Sequence, residues 1–399
     1  MRKSSISSGI SYLNFCLFMS AVAFKSIVDA FIIKNDPNSS LNLVKYVILG
    51  LCILFYVYQV EFKLKHGINL IFGHEFKTLM SMCMGIFIIT LYYITKNGEF
   101  YSRTVKEFVF LITPIIFVYL ALNVFSLHEL VLCAKVALII LGMGYIFQVG
   151  PSMFTPGNMI DTLTKMSFAG GNTAISDSVF ESSAFSDSIM SLLFFFGYYR
   201  KKNNLWLWLS FLLVLLANKR LMVLFAIIII IMAYVPKRLA IQNKVFGAWS
   251  WFLGAVIFCL MPYFVENLTT PATEAYVFQK FSINLPDFWM GRDGMVMNIL
   301  NSSFVSHGLG STFVFQGSLL EVEGVKFLLE LGLIGTIIIA FSYWKITQGR
   351  FYCLVMMLYN FLNINTSTSI MTGTFSWIFY LILLGCCIYY SNLQTDISY

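Results

Sequence analysis

The sequence predicts an all-α polytopic integral membrane protein, and the first reason is composition. Of its 399 residues, 58% are hydrophobic and only 11% are charged, whereas about 25% of the residues of a soluble domain are charged. The 26 Lys and Arg and 19 Asp and Glu are too few to cover a soluble surface of this size. Composition therefore excludes an ordinary soluble enzyme and a disordered chain.

The second reason is a series of apolar runs, because a helix needs about 20 mostly apolar residues to cross a bilayer. Twelve runs are candidates: 10–33, 42–60, 78–95, 104–125, 129–149, 184–199, 205–217, 221–235, 245–264, 325–344, 351–364 and 370–390. The first also resembles a signal peptide, but its length favours an uncleaved span. We expect about twelve transmembrane helices in a single membrane domain, residues 1–399.

The third observation is the position of the basic residues, which concentrate on the cytoplasmic side of membrane proteins. The clusters Arg200–Lys202 and Lys237–Lys244 are the clearest anchors. They predict that both termini are cytoplasmic and that two long loops lie on the outer face. These are residues 150–183 after the fifth span and 265–324 after the ninth, and we expect both to be ordered.

The net charge and the positions of the cysteines indicate which partners and which cross-links to expect. The net charge of +7 suits anionic membrane lipids, and no basic run is long enough to predict nucleic-acid binding. The eight cysteines all lie in apolar runs, which predicts small core residues rather than a disulfide framework.

The segment Asn-Lys-Arg at 218–220 is the strongest functional signal. Residues 205–235 must cross and return between two basic anchors, yet 31 residues are too few for two full spans. The turn at Lys219 and Arg220 is therefore expected below the outer surface, where a charge usually lines a functional site. The alternative is a pair of side chains that reach the interface.

Two glycine-containing segments of the second loop can bind anions. In Gly-Arg-Asp-Gly at 291–294, Arg292 can present a planar fork to phosphate oxygens, or it can pair locally with Asp293. In Ser-His-Gly-Leu-Gly-Ser at 306–311, the backbone N–H groups around Gly308 and Gly310 can form an anion nest. His307 is a candidate acid or base, or an ordinary polar loop residue.

Carboxylates supply the remaining candidates. Glu321 and Glu323 precede the tenth span and can take a proton from a hydroxyl group, or they are ordinary solvated charges. Asp177, in the first loop, suits polyol recognition, although such residues occur in any loop. Lys326 and Glu330, like Lys25 and Asp29 in the first span, are four residues apart and can pair on one helix face.

Motifs for metal or nucleotide chemistry do not occur in the sequence. It contains no D-x-D pair, HExxH, CxxC pair or GxSxG. We therefore expect no metal, no cofactor and no serine nucleophile.

Four stretches together resemble the O-antigen polymerase/ligase superfamily, most closely the Wzy-type O-antigen polymerases. They are Ala-Asn-Lys-Arg-Leu-Met at 217–222, the segments 291–294 and 306–311, and Leu-Glu-Leu-Gly-Leu-Ile-Gly at 329–335. The span layout is similar over nearly the whole chain, whereas these motifs cover 23 residues. Residues 320–323, Leu-Glu-Val-Glu, lack the histidine that ligases carry before the last motif, which argues against the ligase branch.

The resemblance implies a metal-independent glycosyltransferase of the bacterial inner membrane with a periplasmic active site. Its donor and acceptor would be polyprenyl-pyrophosphate-linked oligosaccharide repeat units, and a chain-length regulator is a possible protein partner. It implies that Arg220 and Arg292 stabilise the leaving pyrophosphate and that Glu321, Glu323 or His307 transfers the proton. From the residues themselves we expect substrate contacts from Lys219, Gly308, Gly310 and Asp177. A lipid-linked oligosaccharide flippase and an O-antigen ligase are the alternatives.

Overall fold

The computed structural model describes most of the chain. The described residues are 8–32, 41–164, 183–234, 270–281, 291–347, 350–366 and 374–390, with residues 180, 256, 260, 284, 285 and 289. Within this part of the chain all regular secondary structure is helical, so the predicted all-helical class is confirmed.

The described residues form fifteen α-helices and the turns and loops that connect them. The first nine are α1 Ser8–Ile27, α2 Leu41–Lys65, α3 Gly73–Asn97, α4 Ser102–Val124, α5 Leu127–Val149, α6 Pro156–Thr164, α7 Ser183–Tyr198, α8 Asn204–Leu216 and α9 Arg220–Tyr234. The others are α10 Pro271–Phe281, α11 Arg292–Leu300, α12 Ser311–Gln316, α13 Glu323–Ile346, α14 Phe351–Thr366 and α15 Phe375–Tyr389. A π-helical turn, Val28–Ile32, continues α1.

Among the described residues, six helices are long and apolar enough to cross a membrane: α1 with its π-helical turn, α2, α3, α4, α5 and α13. Five shorter apolar helices, α7, α8, α9, α14 and α15, have between 10 and 17 residues. These eleven helices fall on eleven of the twelve predicted runs. The remaining run, 245–264, lies outside the described residues apart from positions 256 and 260, so twelve crossings remain a prediction.

Hydrogen bonds between helix ends define one end of the bundle, which we call the basic end. Lys63 at the end of α2 donates to the carbonyl of Asn123 at the end of α4 (2.6 Å). The hydroxyl of Tyr389, the last residue of α15, donates to Glu75 in the first turn of α3 (2.7 Å). Ser11 of α1 donates to Glu129 of α5.

The basic clusters lie at this same end. Tyr199, next to the basic turn Arg200–Lys202, donates to the carbonyl of Cys386 in α15 (3.2 Å), and Arg350 donates to that of Cys387. The start of α1 and the end of α15 therefore share the basic end, as the predicted topology requires. That this end is cytoplasmic remains a prediction.

The opposite end, which we call the cap end, is formed by the last turn of α3, the first turns of α4 and α13, and helices α10–α12 between residues 270 and 322. A second, smaller hydrophobic core lies here. It contains Leu285, Trp289, Val296, Ile299, Leu320, Val322 and Val325. This core attaches α11 to the start of α13. That the whole predicted loop 265–324 is ordered remains a prediction.

The α8–α9 hairpin is as short as the sequence predicts. Its helices have 13 and 15 residues, or about 20 and 22 Å at 1.5 Å per residue, against about 30 Å of hydrocarbon. At the basic end, Tyr234 donates to Asn204 (3.2 Å) and lies under the Arg200 guanidinium (4.2 Å). Asn218 makes the connecting turn with a left-handed φ of 51°.

Helix α13 is interrupted, whereas the sequence predicts one continuous span over 325–344. Gly332 has φ 66° and ψ −176°, a conformation that is essentially limited to glycine. A Cβ atom at this position would lie 2.9 Å from the Tyr93 hydroxyl of α3. The span is therefore two helical segments, and the segment before Gly332 belongs to the cap end.

We predict that Gly332→Ala destabilises the protein by about 1–3 kcal/mol, because alanine cannot adopt this backbone conformation without strain. Equilibrium unfolding in mixed detergent micelles measures the loss. Gly50→Ala is the matched control, since Gly50 is helical within α2 and a Cβ atom there meets nothing within 4 Å. Equal stability of the Gly332→Ala and Gly50→Ala proteins would contradict the prediction.

Candidate functional site

A buried ion cluster joins α4 to α13 at the cap end. Arg103 and Glu107 lie four residues apart on α4, and the guanidinium contacts Glu107 Oε1 at 2.6 Å. Lys326 of α13 donates to Glu107 Oε2 at 2.7 Å. The Glu107 and Lys326 side chains are 0% and 1% exposed. Each Glu107 oxygen thus contacts its own cation. The two cations offset the cost of burying the carboxylate.

Glu330, one turn beyond Lys326, holds the glycine loop, by which we mean residues 306–312. Its Oε2 accepts the backbone N–H of Gly310 (2.8 Å), and its Oε1 accepts the N–H (3.0 Å) and hydroxyl (2.5 Å) of Thr312. Two of the donors expected to bind a substrate anion thus bind a carboxylate of the protein. The predicted substrate contacts of Gly308 and Gly310 remain predictions.

The glycine loop lies so close to α3 and α4 that both glycines are required. Gly308 has φ 83°, and a Cβ atom there would lie 2.5 Å from Thr90 Cγ2 and 2.9 Å from Thr90 Cα. Gly310 has φ 92°, and its Cβ would lie 3.1–3.3 Å from Arg103 and Glu107. The loop backbone therefore packs directly against the helices that carry the ion cluster.

Serine and asparagine side chains hold the start of the loop. Ser306 donates to the carbonyl of Glu330 (2.5 Å), and Asn97 at the end of α3 donates to the carbonyl of Ser306 (2.5 Å). Helices α3 and α13 thus fix the loop from two sides.

His307 lies beside a carboxylate and a tyrosine. Its Nδ1 is 3.4 Å from the Tyr101 hydroxyl, and its Nε2 is 3.9 Å from Glu99 Oε2. Tyr101 donates to the same Glu99 oxygen at 2.5 Å. This hydrogen bond is the main reason that the pKa of Tyr101 is raised to about 12. The Tyr101 hydroxyl therefore keeps its proton at neutral pH.

Arg292 and Glu321, both predicted from the sequence, form an ion pair. Arg292 opens α11, and its Nε donates to Glu321 Oε2 at 2.8 Å. The ion pair of Arg292 is therefore with Glu321, 29 residues away, rather than the local one with Asp293 that the sequence left open. Among the described residues, no acceptor bonds to the four N–H groups on its two Nη atoms.

The remaining predicted residues are distributed around the cap end. Glu323 lies fully buried in the first turn of α13, unlike Glu321, which is 53% exposed. Lys219 and Arg220 are half-buried at the cap-end turn of the α8–α9 hairpin. Asp177 lies outside the described residues.

Sequence reasoning missed several residues of this site: Thr90, Asn97, Glu99, Tyr101, Arg103 and Glu107. A usable signal existed only for Arg103 and Glu107, which are two charges four residues apart at the start of an apolar run. By contrast, the predicted pairing of Lys25 with Asp29 is confirmed at 2.6 Å, and Lys45 adds a second contact at 3.3 Å.

The chain matches no protein-family model, and neither a curated protein nor a solved structure matches it significantly. The resemblance to the O-antigen polymerase/ligase superfamily therefore depends on the residues themselves. In the part of the chain that the structure describes, no three His, Cys, Asp or Glu side chains are grouped to hold a metal ion.

We predict that Lys326→Met destabilises the protein by about 3–5 kcal/mol, because it leaves the Glu107 carboxylate buried with only one cation. Adding Glu107→Gln removes that charge and is expected to restore most of the stability. Equilibrium unfolding in mixed micelles measures both effects.

The matched control for this prediction is Lys65→Met. Lys65 also pairs with a glutamate, Glu61, at 3.2 Å, but the two side chains are 70% and 59% exposed, so little stability should be lost. If Lys326→Met were as stable as this control, or the double variant no better than Lys326→Met, the ion cluster would not stabilise the cap end.

Proposed function

We propose that this chain is a surface-polysaccharide polymerase that joins polyprenyl-pyrophosphate-linked oligosaccharide units. The observation that carries the proposal is the contact between the predicted motifs. The glycine loop binds Glu330 of the segment 329–335, and Arg292 pairs with Glu321 just before the same helix. These elements form one unit at the cap end, which in the proposal faces the outer side of the inner membrane.

The reaction exchanges one C–O bond for another at C1 of the donor sugar. The bond from C1 to the pyrophosphate oxygen breaks, and the pyrophosphate leaves with its polyprenyl chain and the bonding electrons. The bond from C1 to the acceptor hydroxyl oxygen forms, and a base accepts the hydroxyl proton. The enzyme must therefore stabilise negative charge on the leaving group and provide that base.

Arg292 is suited to the leaving group. The bond to Glu321 uses Nε and orients the guanidinium, while its Nη groups are available for two parallel hydrogen bonds to phosphate oxygens. The carboxylate thereby positions the arginine without occupying the donors that a pyrophosphate needs.

Arg220 is suited to the lipid end of the donor. Leu224, Ile227 and Ile231 follow it on one face of α9, and all three are exposed. A polyprenyl chain can lie along this apolar stripe with its pyrophosphate beside Arg220. In the proposal, Arg220 binds the lipid pyrophosphate at the recessed turn of the α8–α9 hairpin.

Glu321 and His307 are the proposed proton acceptors. Glu321 is half-exposed and its Oε1 has no hydrogen bond among the described residues, while His307 lies beside Glu99. Glu323 is fully buried, so we assign it to positioning the start of α13 rather than to contact with an acceptor sugar.

We predict that Arg292→Ala and Arg220→Ala each lower the rate of polymer formation about 100- to 1000-fold, the usual effect of removing one preorganised donor to developing charge. Arg292→Lys should not restore the rate, because lysine lacks the planar fork. A gel of surface polysaccharide from a host that lacks its polymerase, complemented with each variant, measures the outcome. The intact gene should restore the ladder, and the variants only the single-unit band.

Lys280→Ala is the control, since Lys280 lies on the exposed face of α10 beside Tyr276 (3.0 Å) and should leave the ladder unchanged. An immunoblot must show equal amounts of each variant in the membrane. A full ladder with Arg292→Ala would remove the basis of the proposal. In a host deleted for this gene itself, loss of the single-unit band would indicate a flippase or a ligase, and accumulation of long lipid-linked polymer would single out the ligase.

A further inference from the structure

A groove of about 380 Å³ lies between α3 and the second segment of α13, at the basic end and away from the proposed reaction site. Polar and charged side chains from both helices line its mouth, among them His74, Lys77 and Lys345. Its deeper part is lined by Met82, Ile338 and Phe341.

The chemical character of the groove changes along the helix axes. On α3 the lining residues run from His74 and Lys77, through Ser81, to Met82 and Gly85, and this order leads from the helix end toward the middle of the bundle. On α13 they run in the same spatial direction from Lys345 to Ile338. Charge is thus at the surface and apolar area is inside, which matches the polarity of a phospholipid.

The length of the groove corresponds to one membrane leaflet. From His74 to Gly85 the helix rises about 16 Å at 1.5 Å per residue, and half of a hydrocarbon core of about 30 Å is about 15 Å. The groove can therefore hold an acyl chain over its full depth while a headgroup stays at the charged mouth.

The cations at the mouth are not neutralised by acids in the described ranges of the chain, where neither Lys77 nor Lys345 forms an ion pair. The Lys345 ammonium lies 5.9 Å from the centre of the Phe341 ring, a contact that leaves its N–H donors for a phosphate. The acid closest in sequence, Glu75, accepts the Tyr389 hydroxyl. Gly85 leaves space beside Ile338, whose side chain would be 3.5 Å from a Cβ atom at that position.

We propose that this groove binds one anionic phospholipid of the adjacent leaflet. Lys77, Lys345 and His74 contact the headgroup phosphate, and one acyl chain lies against Met82, Ile338 and Phe341. Basic pockets between membrane helices bind lipid phosphates in this way. The bound lipid would fasten α3 to the second segment of α13, while α3 and the first segment of α13 hold the glycine loop at the cap end.

The test compares thermal stability and lipid retention in nanodiscs of phosphatidylcholine alone and of phosphatidylcholine mixed with phosphatidylglycerol. The anionic lipid should raise the unfolding temperature of the intact protein, and native mass spectrometry should detect one retained phosphatidylglycerol. Lys77→Ala with Lys345→Ala should weaken retention roughly 25-fold, since each surface lysine contributes roughly a factor of five to the binding of anionic lipid. Ser81→Phe keeps both lysines but obstructs the acyl-chain path, and it should also abolish retention.

Lys201→Ala with Lys202→Ala is the matched control, because it removes two positive charges at the same end outside the groove and should preserve retention. Equal loss in this control would mean attraction to the whole basic surface and would overturn the proposal. Retention by the Lys77/Lys345 variant would overturn it as well. A third result would also contradict the proposal: inorganic phosphate stabilises the detergent-solubilised protein, and Ser81→Phe retains the lipid as well as the intact protein does. Together these two observations would indicate a site for a free anion.

Discussion

The neutralisation of two buried carboxylates, those of Glu107 and Glu330, determines how the cap end is assembled. A carboxylate in an apolar bundle is costly unless cations or N–H groups surround it. Glu107 takes Arg103 from its own helix and Lys326 from α13, whereas Glu330 takes the backbone of the glycine loop. Three segments that are distant in sequence are therefore held together by charge, and displacing any one of them would leave an unpaired buried group.

The break in α13 follows from the same requirement. The segment before Gly332 carries Lys326 and Glu330 to the cap end, while the segment after it packs against α3 toward the basic end. A straight helix would hold both segments on one line. Glycine permits the change of direction because it adopts a backbone conformation that other residues avoid.

These contacts also separate the structural from the proposed catalytic groups. The glycine loop is already occupied by an anion of the protein, so in the proposed polymerase the binding of pyrophosphate falls to the arginines. Arg292 is oriented by Glu321 through Nε and keeps its terminal donors, and Arg220 heads an exposed apolar stripe on α9. The reaction site and the lipid groove would then occupy opposite ends of the bundle, joined by α3 and α13.

The sequence by itself determined the helical class, most helix positions, the short α8–α9 hairpin and the Lys25–Asp29 pair, because apolar length and i,i+4 spacing are local properties. It also selected Arg292, Glu321 and the glycine loop as chemically notable. Only the tertiary structure decided their partners: Arg292 with Glu321, Lys326 with Glu107, and the loop N–H groups with Glu330. Those choices depend on which helix ends meet, and the break at Gly332 directs one of those ends. A hydrophobicity pattern does not show which helix ends meet or where a helix breaks. The partners of these groups lie in other segments of the chain, and only the fold brings them together.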